Sequence, residues 1–200
     1  MRHGRTEWNA AGRFQGQSDV ELDEAGRAQA RALGASLKHD VFDVIASSDL
    51  VRARETATAI AGRALHADEL DPAWREMAFG GWEGLTWPDI LERFPQTAAE
   101  RPSNVPRFGT PPGGESFDEV CARVATALRE LLERVPAGGK ALVVTHAGVL
   151  HALLRVALGS AESEALRVRF VPAGVTRFEF GPNGARLLAL NEALSEGGAA

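Results

Sequence analysis

The stretch that most constrains this chain is KALVVTHAGVLHALLRVALG, residues 140–159. Four apolar residues, Ala141 to Val144, lead into Thr-His and then Ala-Gly, after which apolar residues recur at helical spacing. A short apolar run rich in β-branched residues reads as a strand buried on both faces. A buried strand that turns straight into a helix belongs to a parallel sheet covered by helices, because parallel strands return through crossovers. His146 then stands where the strand ends and the helix begins, the place where ligands gather in such sheets.

The rest of the chain repeats the alternation. DEAGRAQARALGASLKHD (23–40) reads as a helix with Asp23 as its cap, VFDVIAS (41–47) as a buried strand, and DLVRARETATAIAGRAL (49–65) as a second helix. HADELDP (66–72) reads as a short strand or extended link closed by Pro72. Ser116 with Glu119 forms a capping-box pattern opening a long amphipathic helix over 116–135. LRVRFVP (166–172), VTRFEFG (175–181) and ARLLALNE (185–192) have strand character, with a GPNG turn joining the last two. Six of the ten prolines fall between residues 74 and 115, where periodicity is lost, so this region is expected to be lid-like. The expected fold class is α/β with a mostly parallel sheet, as one domain over 1–194 and a flexible tail at 195–200.

Composition excludes several classes. The net charge of −5 gives no basic excess for nucleic acid, although a local basic pocket remains compatible with it. The single cysteine, Cys121, cannot make an internal disulfide or a cysteine-based zinc site, and it sits where a small core residue belongs. No apolar run approaches the length of a membrane span, so the expectation is a cytoplasmic protein with no membrane partner.

Polar residues outside the periodic segments mark the chemistry. His3 sits in RHG and His146 in THAG, both at glycine-bearing turns. Asn9 follows in TEWN, Arg52 lies just after a buried strand, and Glu76 lies in the Gly- and aromatic-rich loop REMAFGGWEG. If these converge, guanidinium forks match phosphate oxygens, an imidazole is a nucleophile toward phosphorus, and a lone carboxylate moves a proton. That inventory suits phosphoryl transfer without a metal or a cofactor. Glu83 is a rival to Glu76 on the same loop. Arg54, His39 and His66 read as surface residues. His146 and His151 fall on different faces and do not read as a zinc pair, and Trp82 and Trp87 are either lid packing or a substrate-facing wall.

Four ordered blocks, RHGRTEWN, SSDLVRARETA, REMAFGGWEG and VVTHAG, resemble the histidine phosphatase superfamily, also called phosphoglycerate mutase-like. The resemblance runs from Arg2 to about residue 160 and implies a three-layer α/β/α sandwich. It implies that His3 is the nucleophile and becomes a phosphohistidine. Arg2, Arg52 and His146 would bind phosphoryl oxygens with help from Asn9, and Glu76 would protonate the leaving oxygen and later activate water. Backbone donors at Ala147 and Gly148 would add to the substrate site; Gln15 and Gly16, in RFQGQSD, read equally as substrate contacts or as turn residues, and Asn9 reads alternatively as the cap of a turn.

Members of this family place an apolar strand immediately before RHG, and a strand has about five or six residues. Only Met1 stands there, so the first strand is expected to be truncated, with the native start several residues upstream and an apolar strand encoded in frame before Met1. Residues 85–116 hold three arginines and no lysine, unlike the basic insertions of the cofactor-dependent mutases, and EMAFGGWEG resembles the phosphatases. The expected activity is therefore hydrolysis of a small phosphorylated metabolite, with α-ribazole phosphate the first specific candidate. A phosphoglycerate mutase and a phosphate-binding regulatory module remain the alternatives. Family members occur as monomers, dimers and tetramers, which leaves a homodimer open.

Overall fold

The computed structural model describes residues 1–96, 109–161, 165 and 167–192. Strand β1 (Val44–Ser47) pairs in parallel with β2 (Ala141–Val144), Val44 lying opposite Ala141 and Ser47 opposite Val144. Extended chain widens this sheet on both sides, through parallel bridges from Ser47 to Leu70 and from Arg2 to Thr145. Residues 1–3 lie between two neighbours. His3 N–H donates to Thr145 O at 2.9 Å and Thr145 N–H to Met1 O at 2.9 Å. On the opposite side Arg2 N–H donates to Gly174 O at 3.2 Å and Ala173 N–H to His3 O at 3.0 Å. Residues 1–3 thus take an interior place beside β2.

Successive strand residues face opposite sides, and the helices divide accordingly. On one side α2 (Glu24–Ser36) and α3 (Val51–Ala61) enclose Met1, Leu142 and Val144 with Leu33, Leu37, Ala57 and Ile60. On the other, α5 (Phe117–Arg134) and α6 (Ala147–Leu158) enclose Val44 and Ala46 with Val120, Val124, Val149 and Leu150. Each fully buried aliphatic side chain contributes about 1.5–3 kcal/mol. A one-residue slip of β1 would exchange its two faces, so this burial fixes the register.

Local chemistry sets the boundaries. Asp23 caps α2 by accepting from Gly26 N–H at 2.7 Å, and Ser116 and Glu119 close the capping box that opens α5. Thr6 and Asn9 form another at the short helix α1 (Glu7–Ala10). Thr86 and Asp89 open α4 (Trp87–Arg93) in the same way. Strands β3 (Val175–Gly181) and β4 (Gly184–Glu192) make an antiparallel hairpin across the Pro182-Asn183 turn.

Three expectations are corrected. The strand of 41–47 begins only at Val44, and Val41 is exposed. Residues 66–72 contain short 3-10 turns at Ala67–Glu69 and Pro72–Trp74, with only Leu70 joining the sheet. Residues 167–172 form no strand, because side chains take their carbonyls. His151 Nε2 bonds Val168 O at 2.7 Å, Asn191 Nδ2 donates to Arg169 O at 2.6 Å, and Arg2 donates to Phe170 O at 2.6 Å. The expected tail at 195–200 lies outside the described residues, as does the middle of the expected lid. Among the described residues no helix is long and apolar enough to cross a membrane.

Candidate active site

A cavity of about 240 Å³ opens at the sheet edge where residues 1–3, β1 and β2 end. Eight of the ten residues expected at the site line it: Arg2, His3, Asn9, Gln15, Arg52, Glu76, Ala147 and Gly148. His146 and Gly16 stand behind the wall, each in contact with Arg52.

The two histidines are buried at 1% and 0% exposure, with ring centroids 5.0 Å apart. His3 Nδ1 lies 2.6 Å from Gly4 O, an acceptor, so this nitrogen carries the proton and Nε2 keeps its lone pair. Gly4 is itself fixed, its N–H donating to Thr56 Oγ1 at 3.0 Å. His146 has the opposite tautomer. Its Nδ1 accepts from Arg52 Nε–H at 3.2 Å, and its Nε2–H donates to Ser48 Oγ at 2.8 Å. Burial, and next to it the Arg52 guanidinium, hold both imidazoles well below the usual histidine range. Both are neutral at neutral pH.

Arg52, on the first turn of α3, is fully buried. It donates to Ser18 O at 2.8 Å and Gly16 O at 2.7 Å besides His146. Three of its five N–H donors are thus used, leaving two for a ligand. Burial lowers it to about 10, which still leaves it cationic at neutral pH. Arg2 donates to Phe170 O, and its buried Nε–H has no partner among the described residues although Arg2 lines the cavity.

Glu83 shapes the loop that Arg52 grips. Its two carboxylate oxygens accept from the N–H groups of Gln17, Ser18 and Phe79 and from Ser18 Oγ. Gly16 turns beside it with φ of +52°, and a Cβ there would lie 2.0 Å from Glu83 Oε1. Glu83 is thereby committed to holding the loop. Glu76 differs: Oε1 accepts from Met77 N–H and Gly148 N–H, each at 2.9 Å, while Oε2 accepts no hydrogen bond from the described residues. Gly148 N–H is one of the unpaired donors at the start of α6, so Glu76 caps that helix from another segment. Burial outweighs these bonds and the Arg52 and Arg2 charges, and it raises the Glu76 carboxyl above its ordinary range. Of the two glutamates on this loop, Glu76 lines the cavity and Glu83 does not.

Asn9 is oriented by its capping box, with Oδ1 accepting from Thr6 N–H at 3.2 Å. Gln15 is only 7% exposed, and its buried Oε1 has no partner among the described residues. The cavity also draws on Arg13, Phe14, Phe79 and His151, which sequence reasoning had not placed there. Arg13 stood two residues from Gln15 in the same block, and that adjacency was the available signal. Trp82 and Trp87 do not line the cavity. They pack behind Phe14, with ring centroids 6.0 and 6.3 Å away. Cys121 is buried in the core, and Arg54, His39 and His66 are exposed, as expected. Among the described residues no group of three His, Cys, Asp or Glu side chains is placed to hold a metal ion.

Fold and site together define a class: a parallel α/β sheet carrying a neutral histidine, two guanidiniums and a raised carboxyl around one small cavity. The model of the histidine phosphatase superfamily, branch 1, matches residues 1–193. The chain belongs to that superfamily. It is 37% identical over 169 residues to a metal-independent phosphoserine phosphatase of Arabidopsis thaliana, covering 83% of this chain and 71% of the relative. The structure of a mycobacterial glucosyl-3-phosphoglycerate phosphatase in complex with VO3 superposes with a TM-score of 0.83 at 31% identity, over 96% of both chains. The α-ribazole phosphatase of Shigella flexneri superposes with a TM-score of 0.84 at 25% identity, over 100% of this chain and 98% of that one.

Proposed function

We propose that this protein is a metal-independent phosphomonoester hydrolase that works through a phosphohistidine on His3. The observation that carries the reading is the unshared Nε2 of a neutral His3 in a cavity that also holds Arg2, Arg52 and Glu76. His3 Nε2 attacks phosphorus, and the bond from phosphorus to the ester oxygen breaks. Glu76 gives its proton to that departing oxygen. Arg2 and the two remaining donors of Arg52 hold the equatorial oxygens, whose charge needs fixed donors as it develops. Water then attacks the phosphohistidine while the Glu76 carboxylate takes its proton, the P–N bond breaks, and His3 returns neutral. His146 acts from behind by fixing Arg52, rather than by touching phosphate itself.

Phosphorylated hydroxy or amino acids such as phosphoserine are the substrate class the site suits best. Arg13 stands exposed at the cavity mouth, its side chain making one hydrogen bond among the described residues, to Gly84 O, leaving donors for a carboxylate. α-Ribazole phosphate is the second reading, supported by Phe14 and Phe79, which could stack on an aromatic ring. The test is phosphate release in EDTA from phosphoserine, 3-phosphoglycerate, α-ribazole phosphate and p-nitrophenyl phosphate, with wild type, His3→Ala and Arg13→Gln. The proposal expects turnover that His3→Ala abolishes and an Arg13→Gln loss confined to the acids. Isomerisation stimulated by 2,3-bisphosphoglycerate would instead identify a mutase, and phosphate binding without turnover a regulatory module.

A further inference from the structure

The segment that carries Glu76 has no regular structure from Arg75 to Phe79, so helix or sheet bonds do not hold it. A pair of side chains from elsewhere does. Arg123, on the second turn of α5, donates from Nη1 to Ala73 O at 2.8 Å and from Nη2 to Glu76 O at 3.1 Å. The same guanidinium meets Glu115 in a two-point pair, at 2.8 and 3.0 Å. Glu115 Oε2 also accepts from Ala78 N–H at 2.8 Å, and Glu115 N–H donates to Ala78 O at 2.9 Å. The loop is thus held at Ala73, Glu76 and Ala78, on both sides of the acid. Gln17 Nε2 adds a second donor to Glu76 O at 3.2 Å.

We infer that Arg123, locked by Glu115, is the positioning residue that sets where the Glu76 carboxyl stands. The inference rests on Glu76 being the proton donor of the proposed reaction. Its geometry requires arginine. Four N–H groups in one plane reach two carbonyls and both oxygens of a carboxylate, whereas a lysine has three donors at one point. Glu76 Oε1 is spent on Met77 and Gly148, so only Oε2 can reach a leaving oxygen, and the backbone position decides whether it does. A displacement of about 1 Å is enough to cost about 100-fold in rate.

The experiment compares Arg123→Lys and Glu115→Gln with wild type on an alkyl phosphate and on p-nitrophenyl phosphate. The alkoxide needs a proton to leave and nitrophenolate does not. The expected result is a kcat/KM loss of about 10- to 100-fold on the alkyl ester, with kcat/KM for p-nitrophenyl phosphate, which reports only the steps up to nitrophenolate departure, changed less than about threefold and inhibition by inorganic phosphate unaltered. Equal losses of kcat/KM on both esters, or no loss on either, would overturn the inference. A wild-type protein with no His3-dependent turnover would sink the proposed reaction instead. In that case carbon-13 NMR of the Glu76 carboxyl still decides: its raised titration must move in Arg123→Lys, and an unmoved titration would overturn the positioning role.

Discussion

Arg52 donates its Nε–H to Nδ1 of His146 across 3.2 Å, so a buried guanidinium and a buried imidazole fix each other's orientation. The imidazole is fixed in turn by Ser48 Oγ at 2.8 Å. A hydrogen bond to a charged group is worth about 1.5–3 kcal/mol, or roughly 10- to 100-fold in binding. His146→Ala is therefore expected to weaken inhibition by inorganic phosphate by about that factor, while the sensitivity of the rate to the leaving group stays as in wild type. His146→Gln, which can still offer Arg52 an acceptor, should recover part of the affinity. Loss of leaving-group sensitivity in His146→Ala would mean that His146 handles the proton.

The titrations of the site have opposite signs. His3 and His146 are held below 6.5 in the folded protein by burial and then by Arg52, so the unfolded chain binds protons that the site refuses. Their contribution to stability is present above about pH 6.5 and is lost as pH falls below it. Glu76 is raised above 4.5 by burial, so it contributes stability at acid pH that is lost as pH rises through its folded value. The Tm of Glu76→Gln should gain on wild type as pH increases from about 4.5 to 7. The same variant should lose the alkaline fall in kcat/KM on alkyl phosphates. A Tm difference independent of pH would contradict the raised carboxyl.

Gly148 tests the contact between acid and helix. Glycine to alanine inside a helix ordinarily stabilises by about 0.5–1 kcal/mol. Here the added Cβ would lie 2.3 Å from Glu76 Oε1. Gly148→Ala should therefore show no gain in Tm, and kcat/KM on an alkyl phosphate should fall by at least about tenfold while kcat/KM on p-nitrophenyl phosphate is largely spared.

Glu83 should behave as the opposite case. Its carboxylate takes four hydrogen bonds from the 17–18 segment and Phe79, and Arg52 grips the carbonyls of Gly16 and Ser18 on that same loop. Glu83→Gln turns one acceptor into a donor facing N–H groups, at a cost of about 2 kcal/mol. The expected outcome is a Tm lower by about 4–8 °C with KM raised and leaving-group sensitivity intact. A selective loss on alkyl phosphates would transfer the acid role to Glu83.

The elements legible in the sequence were those whose pattern and caps agree. The helix opened by Ser116 and Glu119 and the β2-to-α6 turn at His146 fall where the residues put them. Residues 167–172 misled because their alternation of buried and exposed positions, seen in Val168, Arg169 and Phe170, is real. Their carbonyls, however, are taken by His151, Asn191 and Arg2, three side chains distant in sequence, and no local pattern announces that. The resemblance favours Glu76 over Glu83, but the physical ground for that choice, which carboxylate has already spent its oxygens, lies only in the tertiary structure. Arg123 was invisible for a related reason: on its helix it looks like any other arginine, and only tertiary contact with Ala73 and Glu76 gives it a task.

The central claim is that His3 Nε2 takes the phosphoryl group. The direct measurement is rapid quenching of Glu76→Gln with a phosphorus-32-labelled aryl phosphate in EDTA, followed by mapping of the labelled peptide. The account predicts an acid-labile, base-stable label on the N-terminal peptide at His3, absent when His3→Ala is added. Turnover by wild type with no label on any histidine, or label retained in the His3→Ala variant, would contradict it.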